Sequence, residues 1–189
     1  MSKQLRPRAA AAMAALAAVA VLVLLLFAAN EGSTSASDLA VPSLFAGAAS
    51  CAVSGEQAHL RAEQTERDAR ARWERAPYAA GDATLAVLAL EEAGECFRVS
   101  GDRTGRARME KDLFAWRREL ERVYARARLR LTLALRAERF DEAVSEAQKV
   151  RMLLAKAGPA ADPYRAYLTS VERSARAAQV EQARNAEEE

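Results

Sequence analysis

Residues 9–29 restrict this chain more than any other feature: they are 21 consecutive positions drawn only from Ala, Met, Leu, Val and Phe. At about 1.5 Å rise per residue, a helix of this run is roughly 31 Å long, the thickness of a bilayer's hydrocarbon core. Lys3, Arg6 and Arg8 precede it, and no acid occurs among the first thirty residues. That asymmetry predicts a cytoplasmic basic N-terminus at residues 1–8 and a single transmembrane helix at 9–29, with the remainder exported. The run is longer than the about 7–15 apolar residues of a cleaved signal peptide, and no small-x-small site lies directly after it. An uncleaved signal anchor is therefore expected; cleavage near Ala36, a buried soluble helix and lipidation at Cys51 are the competing readings. Residues 30–53 are rich in Ser, Ala and Gly without a period of 2 or 3.6, which reads as a linker, flexible in its first half. Within it Leu39, Val41, Leu44 and Phe45 suit docking on the downstream domain or lying at the membrane surface. Both remain open.

From residue 54 onward the apolar residues recur at helical spacing. Ser54–Gln57 (SGEQ) has the form of a capping box, and Ala58, Ala62, Ala69, Trp73 and Ala76 mark a first helix. Pro77 and Gly81-Asp82 break it, with Asp82 as N-cap of a second helix over 83–99. Its expected buried set is Leu85, Leu88, Ala89, Ala93, Cys96 and Phe97. A third helix over 105–137 carries Met109, Leu113, Trp116, Leu120, Val123 and Ala127 at alternating intervals of four and three. Phe114, Tyr124, Leu129, Leu131, Leu133 and Leu135 widen that stripe, which predicts neighbours on more than one side. Ala143, Val144, Ala147, Val150 and Leu154 define a fourth helix over 141–156, and Gly158-Pro159 ends it. Asp162-Pro163 opens a fifth with Tyr164, Leu168, Val171, Ala175 and Ala178. Aromatics at 6%, 8 Gly and 5 Pro argue against an all-β sandwich. Short connections make neighbouring helices antiparallel, so the expected fold is all-α: an antiparallel α-hairpin array over 54–184, then an acidic tail at 185–189.

At Arg139-Phe140-Asp141-Glu142-Ala143 the chain resembles the turn and second-helix start of a tetratricopeptide repeat, and Ala147 and Val150 continue its small and apolar positions. Aligned on Gly81-Asp82, Ala86 and Ala93 fall on the packing alanines of another unit, and Asp162-Pro163 resembles the start of a further one. The resemblance covers residues 60–175 as two degenerate, long-armed units whose turn motifs stand about 59 residues apart, against 34 for adjoining repeats. It implies a scaffold that holds protein partners in a concave groove.

Little in the chain points to catalysis. The one His, His59, lies on the polar first helix and reads as a surface residue. The acidic pairs Glu91-Glu92, Glu119/Glu121 and Asp141-Glu142 read as solvated faces, since acid–base work needs a cleft that separates two carboxyl pKa values. Ser100–Gly105 (SGDRTG) lacks the Lys-Ser/Thr ending of a phosphate loop and reads as a loop. No catalytic residue, cofactor or metal site is expected, and the chain is expected not to be an enzyme. Arg117, Arg118, Arg122 and Arg126 make the third helix basic. They read as a solvated face or as a contact for an acidic partner or anionic lipid. Cys51 and Cys96 are the only cysteines. Folding the hairpin about residues 77–79 sets Cys96 opposite residues 58–62, some 10–16 Å from Cys51 at helical rise. A non-helical approach to the first helix would close that gap. A disulfide and a buried Cys96 beside a free Cys51 both fit.

The formal charge of +2 is misleading: taking Lys3, Arg6 and Arg8 from 28 basic residues leaves 25 against 26 acidic, a net −1. Nucleic acid is not an expected partner. The excess of 24 Arg over 4 Lys, with 46 Ala, fits a GC-rich bacterial genome. The expectation is a protein of the inner membrane with a periplasmic interaction domain, serving as scaffold or subunit of an envelope assembly. A chaperone-like holdase and a self-associating stalk are the alternatives.

Overall fold

The computed structural model describes residues 40–45, 47 and 49–188, so the expected anchor at 9–29 and the first part of the linker lie outside the described residues. Among the described residues there are five α-helices and no strand: α1 (Glu56–Arg75), α2 (Ala80–Ser100), α3 (Arg103–Arg136), α4 (Phe140–Leu153) and α5 (Asp162–Glu188). A short 3-10 turn, Pro159–Ala161, precedes α5. No described helix is long and apolar enough to cross a membrane.

The 34-residue α3 organises the rest. Its N-terminal half packs on α2, where a Cβ on Gly94 would touch Met109 at 3.5 Å and one on Gly105 would meet the Phe97 ring. Its C-terminal half packs on α4, where Arg130 pairs with Glu146 at 3.7 Å. α2 and α4 therefore lie end to end along α3. Where they abut, the buried Thr84 hydroxyl donates to the Leu153 carbonyl at 2.9 Å. α1 closes the first half against α2 and reaches α3 through side chains such as Trp73 on Trp116, and α5 closes the second against α4. The result is two helical bundles, one around α2 and one around α4, that share α3.

The first core is Ala62, Ala69, Leu90, Ala93, Cys96, Phe97 and Met109, with Trp116 and Leu113 packed against it. Alanines on α1 and α2 let the backbones approach closely, and Phe97 and Met109 fill what remains. In the second half Leu131, Ala134, Ala143, Ala147, Val150, Leu153 and Leu168 are buried. Ala86, Ala93, Ala143 and Ala147, the alanines matched to the repeat pattern, are all fully buried.

Several local expectations are corrected. Ser54 makes no capping bond: Gly55 turns the chain at φ 61°, and the helix starts after it at Glu56. Gly81 and Asp82 lie inside the first turn of α2, which starts at Ala80. There the Asp82 carboxylate faces the helix's positive end and accepts from Arg75 at 2.9 Å, so it stabilises the turn from within. Leu85, Leu88 and Ala89 are half-buried, while Ala83, Thr84, Ala86, Val87 and Leu90 are buried, because α2 has neighbours on three sides. The expected loop at 100–105 shrinks to Gly101 and Asp102. Gly101 adopts φ 80° to end α2, and the Asp102 carboxylate accepts from the Gly105 amide at 2.9 Å to start α3. Of the residues expected to widen the α3 stripe, Tyr124 and Leu131 are buried, but Phe114, Leu129 and Leu133 are exposed. They sit on the side of α3 opposite Leu120 and Ala127, where no other helix lies. The acidic tail is not separate either: α5 continues through Glu188.

Candidate functional site

The junction of the two bundles leaves an open cleft of about 540 Å³. The end of α1 and its turn supply Trp73, Pro77 and Tyr78, the start of α2 supplies Ala83, and mid-α3 supplies Leu120 and Val123. Gln148, Lys149 and Met152 of α4 complete it. The cleft exists because α2 and α4 meet at their ends over α3, leaving a notch that neither fills. On its wall the Trp73 ring stacks on Trp116 behind it, with centroids 4.5 Å apart and an interplanar angle of 2°. Its rim is not packed: Tyr78 is 93% exposed and Met152 46%. An aromatic ring and a thioether held at the mouth of an apolar notch, beside the Lys149 ammonium and the Gln148 amide, suit a polypeptide side chain inserted from outside.

An ion network links α1 to α3 beside the stacked tryptophans. Arg70 donates to Glu66 and to Asp112 at 2.9 and 2.7 Å, and Arg108 donates to Glu66 at 2.7 Å. Burial alone would raise the Glu66 carboxyl's pKa; the hydrogen bonds from Arg108 and Arg70 outweigh that and hold it below its ordinary value.

The expected Arg face is divided. Arg117 turns inward, donating to Glu91, which is only 9% exposed, and its guanidinium lies 5.1 Å from the Phe45 ring centroid. Arg118, Arg122 and Arg126 point to solvent on the outer side of α3, with Arg122 bonded to Glu119 at 2.6 Å. A step of one residue turns the helix by about 100°, which separates Arg117 from Arg118. His59 stands half-buried between Glu63 at 3.5 Å and Asp102 at 3.7 Å, edge-on to Phe97. No group of three or more His, Cys, Asp or Glu side chains is placed to hold a metal ion among the described residues.

Cys51 and Cys96 are bonded, with Cα atoms 4.9 Å apart. The non-helical stretch 51–55 folds back at Gly55, so Cys51 does not continue the line of α1. Upstream of the bond, Pro42, Leu44 and Phe45 lie as a strap against α2 and α3. Leu44 is 3% exposed, Phe45 sits under Arg117, and the Tyr124 hydroxyl donates to the Pro42 carbonyl at 3.4 Å. This part of the linker docks on the domain.

Sequence reasoning missed Tyr78 and Met152, while of the two readings open for Leu44 and Phe45 the structure takes docking on the domain. An aromatic directly after Pro77, in a helix-helix turn with nothing to pack on, was the available signal for the first. Nothing in the sequence places Met152 beside it. Compared with known protein families, curated proteins and solved structures, the chain matches none.

Proposed function

We propose that this chain is a membrane-anchored, extracytoplasmic scaffold that holds a protein partner in the cleft between its two bundles, as part of an envelope assembly. The observation that carries the reading is the exposed Tyr78 and Met152 at the mouth of a largely apolar notch lined by Trp73, Leu120 and Val123. The basic flank and length of residues 9–29 support the anchor, and a bonded cysteine pair suits an oxidising compartment. Buried alanines at the positions shared with tetratricopeptide repeats support a degenerate helical-repeat scaffold. The reading assigns the chain no catalytic role.

A photo-crosslinking residue at position 78 of the full chain, in its native membrane, tests this. One discrete adduct with another protein is expected from position 78 and none from position 67, which is exposed on α1. An adduct at twice the chain's own mass supports the self-associating stalk instead. A continuous smear of adducts supports the holdase, and no adduct at all rejects the cleft as a docking site.

A further inference from the structure

The buried residues of α3, from Met109 through Leu120 to Ala134, lie within about 40° of one line on the helix. The opposite arc, roughly 120° wide, faces no other helix of the domain. Phe114, Arg118, Arg122, Arg126, Leu129 and Leu133 lie on it, and all are exposed. Phe114 is 69% exposed and Leu129 59%. No Asp or Glu falls on this arc itself: Glu110 and Asp112 lie about 80° from the buried line, and Glu119 and Glu121, at about 100°, flank the arc's two edges. Among the described residues, Arg118 and Arg126 have no carboxylate within ion-pair distance, and Arg122 meets only Glu119 at the arc's edge. A net charge of −1 beyond residue 30 makes an acid-free cationic strip a local departure rather than a reflection of composition.

Guanidinium groups interleaved with large apolar side chains on one face are what an interfacial helix presents to lipid: cations for the headgroups, Leu and Phe for the acyl boundary. A partner recognised through acidic side chains alone would need the arginines but not the exposed Phe114, Leu129 and Leu133 between them. The anchor reading also limits how far this surface can stand from a bilayer. If residues 9–29 span it, the eleven residues 30–40 reach at most about 38 Å before the strap begins. We propose that the outer face of α3 lies on an anionic membrane surface, with Arg118, Arg122 and Arg126 on lipid phosphates. This rests on reading residues 9–29 as the anchor.

The test uses the full chain reconstituted in vesicles of phosphatidylcholine, or of phosphatidylcholine with one-third phosphatidylglycerol. Flotation is checked first, and arginine labelling by phenylglyoxal is then read residue by residue by mass spectrometry. Arg118, Arg122 and Arg126 are expected to label roughly fivefold more slowly on the anionic vesicles, with the difference removed by high salt. Arg67, exposed on α1, should label alike on both. A chain that floats but labels identically on the two vesicles overturns this proposal alone. A chain that floats with neither overturns the anchor reading and this proposal with it. Protection by added polyglutamate but not by phosphatidylglycerol replaces the lipid with an acidic polypeptide.

Discussion

At Gly105 the fold depends on a missing atom. A Cβ there would stand 2.6 Å from the Phe97 ring and 2.8 Å from the Asp102 carboxylate that caps α3. Gly105→Ala is therefore expected to destabilise by about 1–3 kcal/mol in chemical denaturation, although alanine favours helix, because neither the buried ring nor the cap can move aside freely. Arg117 shows the converse, a surface-looking residue with an interior partner. Arg117→Ala leaves the Glu91 carboxylate buried without its partner and should cost on the order of 2 kcal/mol. Arg118→Ala, with no partner to strand, should fall within about 0.5 kcal/mol of wild type. Tyr124 extends the theme to pH. Its burial, with Tyr164 nearby, pushes its pKa up to about 12 from an ordinary value of 10. The stability it contributes is whole below pH 10 and is lost as pH rises towards 12. Tyr124→Phe should flatten that alkaline limb, read as the melting midpoint against pH.

Among the elements, α3 is the most legible in the sequence and also the most misleading. Its four-and-three spacing from Met109 to Ala127 marks a long helix and the side it buries. Phe114, Leu129 and Leu133 look like more of the same stripe, because hydrophobicity alone does not say whether a neighbour is there. The boundaries fail for a related reason. Asp82 has the chemistry of a cap, but Arg75 offers it a partner one turn inside the helix. α5 loses its apolar stripe after Ala178, yet stays helical because Ala, Gln, Glu and Arg dominate its last turns. Between residues 179 and 187 every side chain that a truncation after residue 178 removes is exposed, with Val180 at 72%. Urea denaturation of that truncated chain should show a change within about 0.5 kcal/mol.

For the whole molecule, the disulfide matters most. It closes a loop of 45 residues around α1 and most of α2, and in the chain-entropy account removing such a closure costs about 4 kcal/mol. Cys51→Ser/Cys96→Ser should lose stability of that order in denaturant, whereas reductant should destabilise only the wild-type chain. The sequence alone does not decide whether Cys51 reaches Cys96, because helical rise fixes distances only while the chain is helical and residues 51–55 are not. The cleft is illegible for a different reason. Tyr78, Val123 and Met152 come from three separate parts of the chain and meet only because α2 and α4 share α3 end to end.

The same bond also decides how the domain would bear a mechanical load. A pull on the chain upstream of residue 41 enters through the strap and crosses the sulfurs directly to Cys96, near the end of α2. α1 and most of α2 form a side loop that carries no tension. Reduced, the same pull would run through that loop and release up to about 160 Å of chain before reaching the same point. Oxidation thus sets whether this domain transmits force as a short, stiff link or yields as a long, soft one.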